Sequence, residues 1–332
     1  MDVLTHGLAS YSVTRAAFPK ASRATLLAAI LAGAAADLDQ LSAYVGPSAF
    51  LAWHRTATHS IVGTLVMVAA FFGVASLISR GKPNADAIRT VFLALLAACS
   101  LHVAMDLTQN ESAQLLWPFQ VQRYSADWVA HFDLWILVIL LAGALLPQLF
   151  ALVTEEIGAR SKGPRGRIGA SIALLAVFIY IGARFILHGN AVAMMEARTY
   201  RGELPRRVAA FAESDSPFHW RGIVETERAF HAFDLSLASG PSFNPDAAVV
   251  YYKPESSAPL DAARATESVR RFLEGAKFPK AAAEKTDMGY RVQIRDLAEQ
   301  GEARSGPRVI AIVETDPTAK VLSDELAWDQ KM

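Results

Sequence analysis

The residues of this chain best equipped for chemistry are histidines and aspartates placed at the ends of long apolar runs. The stretch "WHRTATHS" (53–60) holds His54, Arg55, Thr58, His59 and Ser60, and the apolar run "IVGTLVMVAAFFGVASLIS" follows it directly. Asp37 and Asp39 close the Ala-rich run 24–36, and His102 and Asp106 close the run that begins at Thr90. His6 lies 13 residues before Pro19 and Asp37 lies 18 after it, so a chain that turns near Pro19 brings the two to similar depth. With His131 at the start of a later run, five of the eight histidines fall on one layer. Ionisable groups at membrane depth are costly and face a bundle interior or a wet cavity, so a shared layer implies a shared task.

The spacings limit what each residue can do. His102 and Asp106 are four apart, so a helix places both on one face. Asp37 and Asp39 are two apart and diverge on a regular helix. Either the helix ends there, or one carboxylate is a ligand and the other orients a ligating histidine. His54 and His59 also diverge; Thr58 reads as the N-cap of the following helix, with His59 in its first turn and His54 in the loop before it. The expected metal ligands are His6, Asp37, His59, His102 and Asp106, and the expected catalytic set is Asp39, His54 and Arg55. Mixed His and Asp ligands suit Zn²⁺, with Mn²⁺ or Fe²⁺ as alternatives. Such a metal activates water and polarises a phosphoryl or acyl group, and Asp39 or Asp37 is the carboxylate to act as general base. Arg55 cannot bind a metal; it suits a pair of phosphate or carboxylate oxygens, or else anchors the chain at a lipid headgroup. His131 sits in "HFDLW", near Trp128 and Trp135, which read as an aromatic belt.

These residues need elements that hold them at one depth. The 332 residues are 52% hydrophobic and 19% charged, with apolar residues concentrated before about residue 187 and charge after it. About 20 apolar residues cross a bilayer core. Ser60–Ser79, Leu134–Val153 (with Pro147 inside) and Ile168–Leu187 meet that length, Thr90–Met105 and Ala24–Ala36 are shorter, and 3–13 is a weaker sixth segment. Arg15, Lys20 and Arg23, then Arg80, Lys82 and Arg89, then Arg160, Lys162, Arg165 and Arg167 fill alternate connections, whereas 37–59 and 106–130 hold only Arg55 and Arg123. The positive-inside rule then puts 37–59, 106–130 and everything after Leu187 on the outer side. A cleaved signal peptide is not expected, because the start lacks a basic region and carries Asp2 and His6. The expected fold is an all-α polytopic membrane bundle of 5–6 spans (1–188) followed by a small α+β, mainly antiparallel-strand soluble domain (189–332).

The segments "LTHGLASY", "GAAADLDQLS", "HRTATHSIVGT" and "HVAMDLT…LLWPF" occur in that order. Together they resemble the membrane-bound, metal-dependent hydrolase family of the YdjM/YbcI type, part of which is described as LexA-regulated. The resemblance covers roughly residues 1–190, and "SPFHWRGIVET" (216–226) resembles the start of the extra domain in longer members. It implies a multi-span bacterial inner-membrane protein with a His/Asp metal site and hydrolase activity, carried here on His6, Asp37, Asp39, His54, Arg55, His59, His102 and Asp106. The family is also distantly similar to zinc-dependent phospholipase C, which joins upstream His and Asp ligands to an H-x-x-x-D pair. This chain has no clear H-x-x-x-E partner, so one or two metals are expected and not three.

After Gly189 the segments 207–212, 219–226, 230–237, 248–253, 290–297 and 308–315 read as strands, and Pro259–Glu274 reads as one amphipathic helix. His219, Trp220 and Arg221 are read as a surface strand, with a substrate lip as the functional alternative, and His231 as structural. Equal numbers of basic and acidic residues, 32 each, give no global signal for nucleic acid, and the single Cys99 allows no internal disulfide. No phosphate-binding glycine loop, cysteine knuckle, serine elbow or tandem repeat is present. The leading expectation is a hydrolase acting on a phosphoester or acyl ester of a lipid or envelope compound. The alternatives are a metal- or proton-handling transporter or sensor, which the apolar inner halves of the spans disfavour, and a structural envelope protein, which leaves the His/Asp layer without a purpose.

Overall fold

The fold comes from a computed structural model and is described for residues 1–78, 84–156, 166–238, 243–299 and 307–329, with backbone alone for 151–156. The basic residues Arg80, Lys82, Arg160, Lys162 and Arg165 lie outside the described residues. The chain divides into two compact units. The first comprises Met1–Asp39, Arg55–Ala126 and His131–Arg184; the second comprises Gln40–His54, Asp127–Ala130 and Phe185–Met332.

The helical elements are α1 (Val3–Ala17), α2 (Arg23–Ala35), a 3-10 helix (Ala36–Tyr44), α3 (Pro47–Trp53), α4 (Ile61–Ile78), α5 (Ala85–Leu107), α6 (Leu134–Glu156) and α7 (Arg167–Glu196). Side-chain oxygens start three of them: Asp2 accepts from Thr5 N, Ser22 from Thr25 N and Asn84 from Ala87 N. Each takes up one of the amide donors that a helix start leaves unpaired. Four helical stretches among the described residues are long and apolar enough to cross a membrane: Arg23–Tyr44, Ile61–Ile78, Ala85–Leu107 and Arg167–Glu196. The sequence leads one to expect five or six. α1 has 15 residues, about 22 Å at 1.5 Å per residue against a hydrocarbon core of about 30 Å; α6 is 23 residues long, and its side chains are described as far as Phe150.

Small residues hold the first unit together. Ala29, Ala94 and Ala98 form one buried cluster, and Ala32, Val68, Leu95 and Cys99 form another. α1, α2 and α5 pack on one another, α4 packs on α5, and α1 packs on α6. A Cβ on Gly33 would lie 1.9 Å from Ser10 Oγ and 3.4 Å from Ala98 Cβ, so only glycine fits where α1, α2 and α5 meet. Large apolar side chains such as Leu31, Leu65, Val66, Phe178 and Ile179 face outward instead, as lipid-facing helix surfaces do.

The second unit carries two four-stranded antiparallel sheets, in the orders β1-β2-β3-β4 and β5-β6-β7-β8. The first sheet contains β1 (Arg207–Ala212), β2 (His219–Glu225), β3 (Ala229–Ser236) and β4 (Val249–Tyr252). The second contains β5 (Pro279–Thr286), β6 (Gly289–Asp296), β7 (Val309–Thr315) and β8 (Val321–Trp328). Trp220, Val224, Phe233 and Leu235 of the first sheet pack with Ala191 and Met195 of α7. Val292, Ile294, Ala311 and Val313 of the second pack with Leu260, Val269 and Phe272. The expected single helix 259–274 is two, α8 (Ala258–Arg264) and α9 (Glu267–Leu273): Ala265 caps the end of the first and Thr266 is the N-cap of the second. β5 and β8 join the six expected strands.

Candidate metal centre

Three elements bring donors to one end of the helical unit. His6 sits in the second turn of α1, Asp37 in the 3-10 helix after α2, and His102 and Asp106 in the last turns of α5. Ligand atoms of these four residues all lie within 4.8 Å of one another, and all four residues are buried. His59, also buried, precedes α4 and joins them, with Nε2 2.9 Å from Asp106 Oδ2 and 3.8 Å from Asp37 Oδ1. The N-cap of α4 is Ser60 and not Thr58: Ser60 Oγ accepts from Gly63 N at 2.9 Å. Thr58 is turned away to donate to Asp39 Oδ2 at 2.6 Å.

The histidine tautomers follow from what their outer nitrogens touch. His102 Nδ1 is 2.6 Å from the Gly33 carbonyl, an acceptor only, so Nδ1 carries the proton. His59 Nδ1 is 3.0 Å from Asp39 Oδ2 and likewise donates. In the neutral rings both Nε2 atoms then turn lone pairs into the centre, 3.2 Å apart. Asp106 Oδ2 stands 2.9 Å from one and 3.5 Å from the other, and Asp37 Oδ1 stands 3.8 Å from each. Two carboxylates and two neutral imidazoles facing one buried point repel one another unless positive charge, a metal ion or a proton on His59, lies among them. A tetrahedral ion with bonds of about 2.1 Å sets its ligands roughly 3.4 Å apart, close to these separations. Asp37 Oδ2 and His6 Nδ1 are buried with no hydrogen-bond partner among the described residues, which is a costly state for polar atoms. The donor set fits a divalent metal ion.

Further side chains fix the ligands. Asp39 Oδ2 accepts from Arg55 N, Thr58 Oγ1 and His59 Nδ1, and so acts as the carboxylate behind a ligating histidine. Asp106 Oδ1 takes His6 Nε2 at 2.9 Å, the Met1 amino group at 2.5 Å and Gln109 Nε2. Arg55, 1% exposed, lies 3.2 Å from Asp106 Oδ2 through Nη2 and 3.0 Å from Glu111 Oε2 through Nε. Burial alone would push the Arg55 guanidinium down; Asp106 and Glu111 more than offset it, so its proton is held more tightly than usual. Its backbone takes the left-handed region, φ 54°, held by the bond to Asp39 and by its carbonyl, which accepts from Gln114 N at 2.9 Å. Strain of this kind collects at functional sites.

His54 is placed elsewhere, at the C-terminal cap of α3, stacked 4.4 Å from Phe50. The expected role of Arg55 with substrate oxygens meets a guanidinium already facing two carboxylates of the protein. Gln109 and Glu111, together with the Gly33 carbonyl, are parts of the centre that spacing alone did not reveal. A second buried polar set lies between α6 and α7. Asp133 caps α6 by accepting from Trp135 N and Ile136 N, and the Tyr180 hydroxyl donates to it at 2.9 Å.

The model of the family described as YdjM inner membrane protein matches residues 1–191. The chain belongs to the YdjM inner membrane protein family. The YdjM match includes every donor of the centre, together with Asp39, Arg55, Gln109 and Glu111, and it stops inside α7, before the two sheets. With four membrane-length helices this makes the chain an inner membrane protein with a buried His/Asp group able to hold a metal ion. No curated protein and no solved structure matches the chain.

Proposed function

We propose that this YdjM-family chain is an integral-membrane, metal-dependent hydrolase acting on a phosphoester or acyl ester of a lipid or envelope compound. The observation that carries the reading is the convergence of two lone-pair-bearing imidazoles and two carboxylates at one buried point. Zn²⁺ suits this donor set best, with Mn²⁺ or Fe²⁺ as alternatives. When bound, the ion supplies Lewis acidity that activates water and polarises the scissile group. His6, Asp37, His59, His102 and Asp106 would hold it. Asp39, with three donors on one oxygen, orients His59. Asp37 Oδ2 has no hydrogen-bond partner among the described residues, which supports it over Asp39 as the carboxylate that would accept a proton from water. Arg55 is a positioning residue that holds Asp106.

The centre belongs to the end of α2, the start of α4 and the end of α5, whereas Arg15, Lys20, Arg23, Arg89 and Arg167 belong to the opposite helix ends. The positive-inside rule supports an outward-facing centre and an extracytoplasmic C-terminal domain. Under the same reading α1 and α6 complete a bundle of five or six crossings.

Elemental analysis tests the reading first. Protein purified in detergent is expected to carry about one or two transition-metal ions, and His59→Ala/His102→Ala is expected to carry none. Chromogenic phosphodiester and acyl-ester substrates then follow on the loaded protein. If wild type stays metal-free after reconstitution with Zn²⁺ or Mn²⁺, the hydrolase reading fails. One observation favours a second reading, a metal- or proton-handling transporter or sensor: His59 and Asp106 are both 0% exposed, so the centre is closed to solvent. Metal uptake into proteoliposomes that His102→Ala abolishes, without ester turnover, would establish it.

A further inference from the structure

A cleft of about 760 Å³ in the second unit is lined by six cationic side chains and two carboxylates. Its walls come from both sheets: Arg207, Glu225, Phe230 and Tyr252 from the first, and Pro279, Lys280 and Ala281 from β5.

The charges do not cancel. Arg206 pairs with Glu227, Lys277 Nζ reaches Asp127 Oδ1 at 2.5 Å, and Arg264 Nη1 is 3.8 Å from Asp261 Oδ1. Arg207 and Lys253 share one carboxylate, Glu225, at 3.0 and 2.7 Å. Lys280 has no carboxylate partner among the described residues; its ammonium lies 4.3 Å from the centre of the Tyr251 ring. Burial, and then the charge of Arg295, push its proton affinity down. Two positive charges are thus left in excess on the cleft wall, one of them on a half-buried lysine.

We propose that this cleft binds a phosphate-bearing ligand. Two excess cations match a dianionic group, and guanidinium and ammonium donors approaching from different sides suit its several oxygens. The volume falls within the range of small-molecule sites and exceeds what a bare phosphate fills. The Phe230 and Tyr252 surfaces supply apolar wall for an organic body attached to the phosphate. None of these residues belongs to the metal centre, so the inference stands whether or not the chain is a hydrolase. The phosphate has two possible sources, a soluble phosphate compound or an anionic lipid headgroup.

Two probes separate the sources: pyrophosphate, and dihexanoyl-phosphatidylglycerol kept monomeric. Each is titrated calorimetrically into the full chain in a nonionic maltoside. Saturable binding of one probe is expected, weakened about tenfold or more by Lys280→Glu. Arg264→Glu, at the exposed rim, is expected to weaken it as well without touching the packed interior. Thermal unfolding checks that each variant is folded. Binding of pyrophosphate alone assigns a soluble ligand, and binding of the short lipid alone assigns a headgroup. Binding must also survive in His59→Ala/His102→Ala. No saturable binding of either probe, wild-type binding by both charge-reversal variants, or loss in the double variant overturns the proposal.

Discussion

At the scale of single residues, the His/Asp centre depends on side chains outside the proposed ligand set. Asp39 orients His59 by accepting its Nδ1 proton. Asp39→Ala should therefore lower Zn²⁺ affinity by about 10- to 100-fold, read by competition with a chelating dye; an affinity equal to wild type would remove Asp39 from this role. Arg55 lies buried between Asp106 and Glu111. Arg55→Ala strands two carboxylates and should cost about 3–5 kcal/mol of stability, seen as a lowered unfolding midpoint in detergent. A midpoint unchanged from wild type would show that Asp106 needs no such counter-charge. The His/Asp layer was legible because ionisable residues at span ends stand out against an apolar background. Gln109 and Glu111 were not, because "DLTQNES" reads as an ordinary polar loop after a helix. Only the fold shows that this loop returns to Arg55. His54 shows the opposite failure: proximity to His59 in sequence placed it in the layer, but α3 holds it against Phe50.

At the scale of elements, α6 and α7 approach each other through small residues. A Cβ on Gly143 would lie 2.4 Å from Ala173 Cβ, and one on Gly169 would lie 2.3 Å from Pro147 Cγ and 2.6 Å from the Gly143 carbonyl. Gly169 and Ala173, four apart, present the close-approach face that lets membrane helices associate. Gly169→Leu must therefore push the helices apart and should lower the unfolding midpoint, by an amount equivalent to about 1–3 kcal/mol. An unaltered midpoint would mean that the two helices do not need this contact. The helices were legible as apolar runs, whereas this contact was not, since glycines inside such runs carry no mark of their partner. In the second unit, "PKAAAEKT" hid β5, because its alanines and charges favour a helix in isolation. Full-length pairing with β6 overrides that preference. The turn between them needs Gly289, at φ 145°, where a Cβ would meet the Thr315 carbonyl at 2.0 Å.

At the scale of the whole molecule, two compact units are joined in one chain. The uneven spread of charge in the sequence pointed to a helical half and a strand-rich half, and four helices among the described residues reach membrane length. The units should also respond differently to acid. His231 is buried in β3 beside Tyr200, and burial, then Arg201, push its pKa below the ordinary value, with Glu203 opposing. Folding thus favours the neutral ring. The stability this contributes is present above about pH 6.5 and is lost as pH falls through the lowered value, because the unfolded chain then binds the extra proton. Between about pH 7 and pH 5, the strand signal in circular dichroism should melt at progressively lower temperature, and His231→Leu should flatten that slope. A slope that His231→Leu leaves unchanged would assign the acid sensitivity to other groups.

The donors of the metal centre are far apart along the chain, with His6 and Asp106 separated by 100 positions. A translating ribosome therefore releases the first donor long before the last. Until α5 has entered the bilayer, the nascent chain offers at most His6, Asp37 and His59, and no ion can be enclosed. On the proposed metal-binding reading, capture would be a late act of assembly, and the ion would close a loop that spans most of the helical unit. A chain truncated before His102 would insert its early helices and remain metal-free.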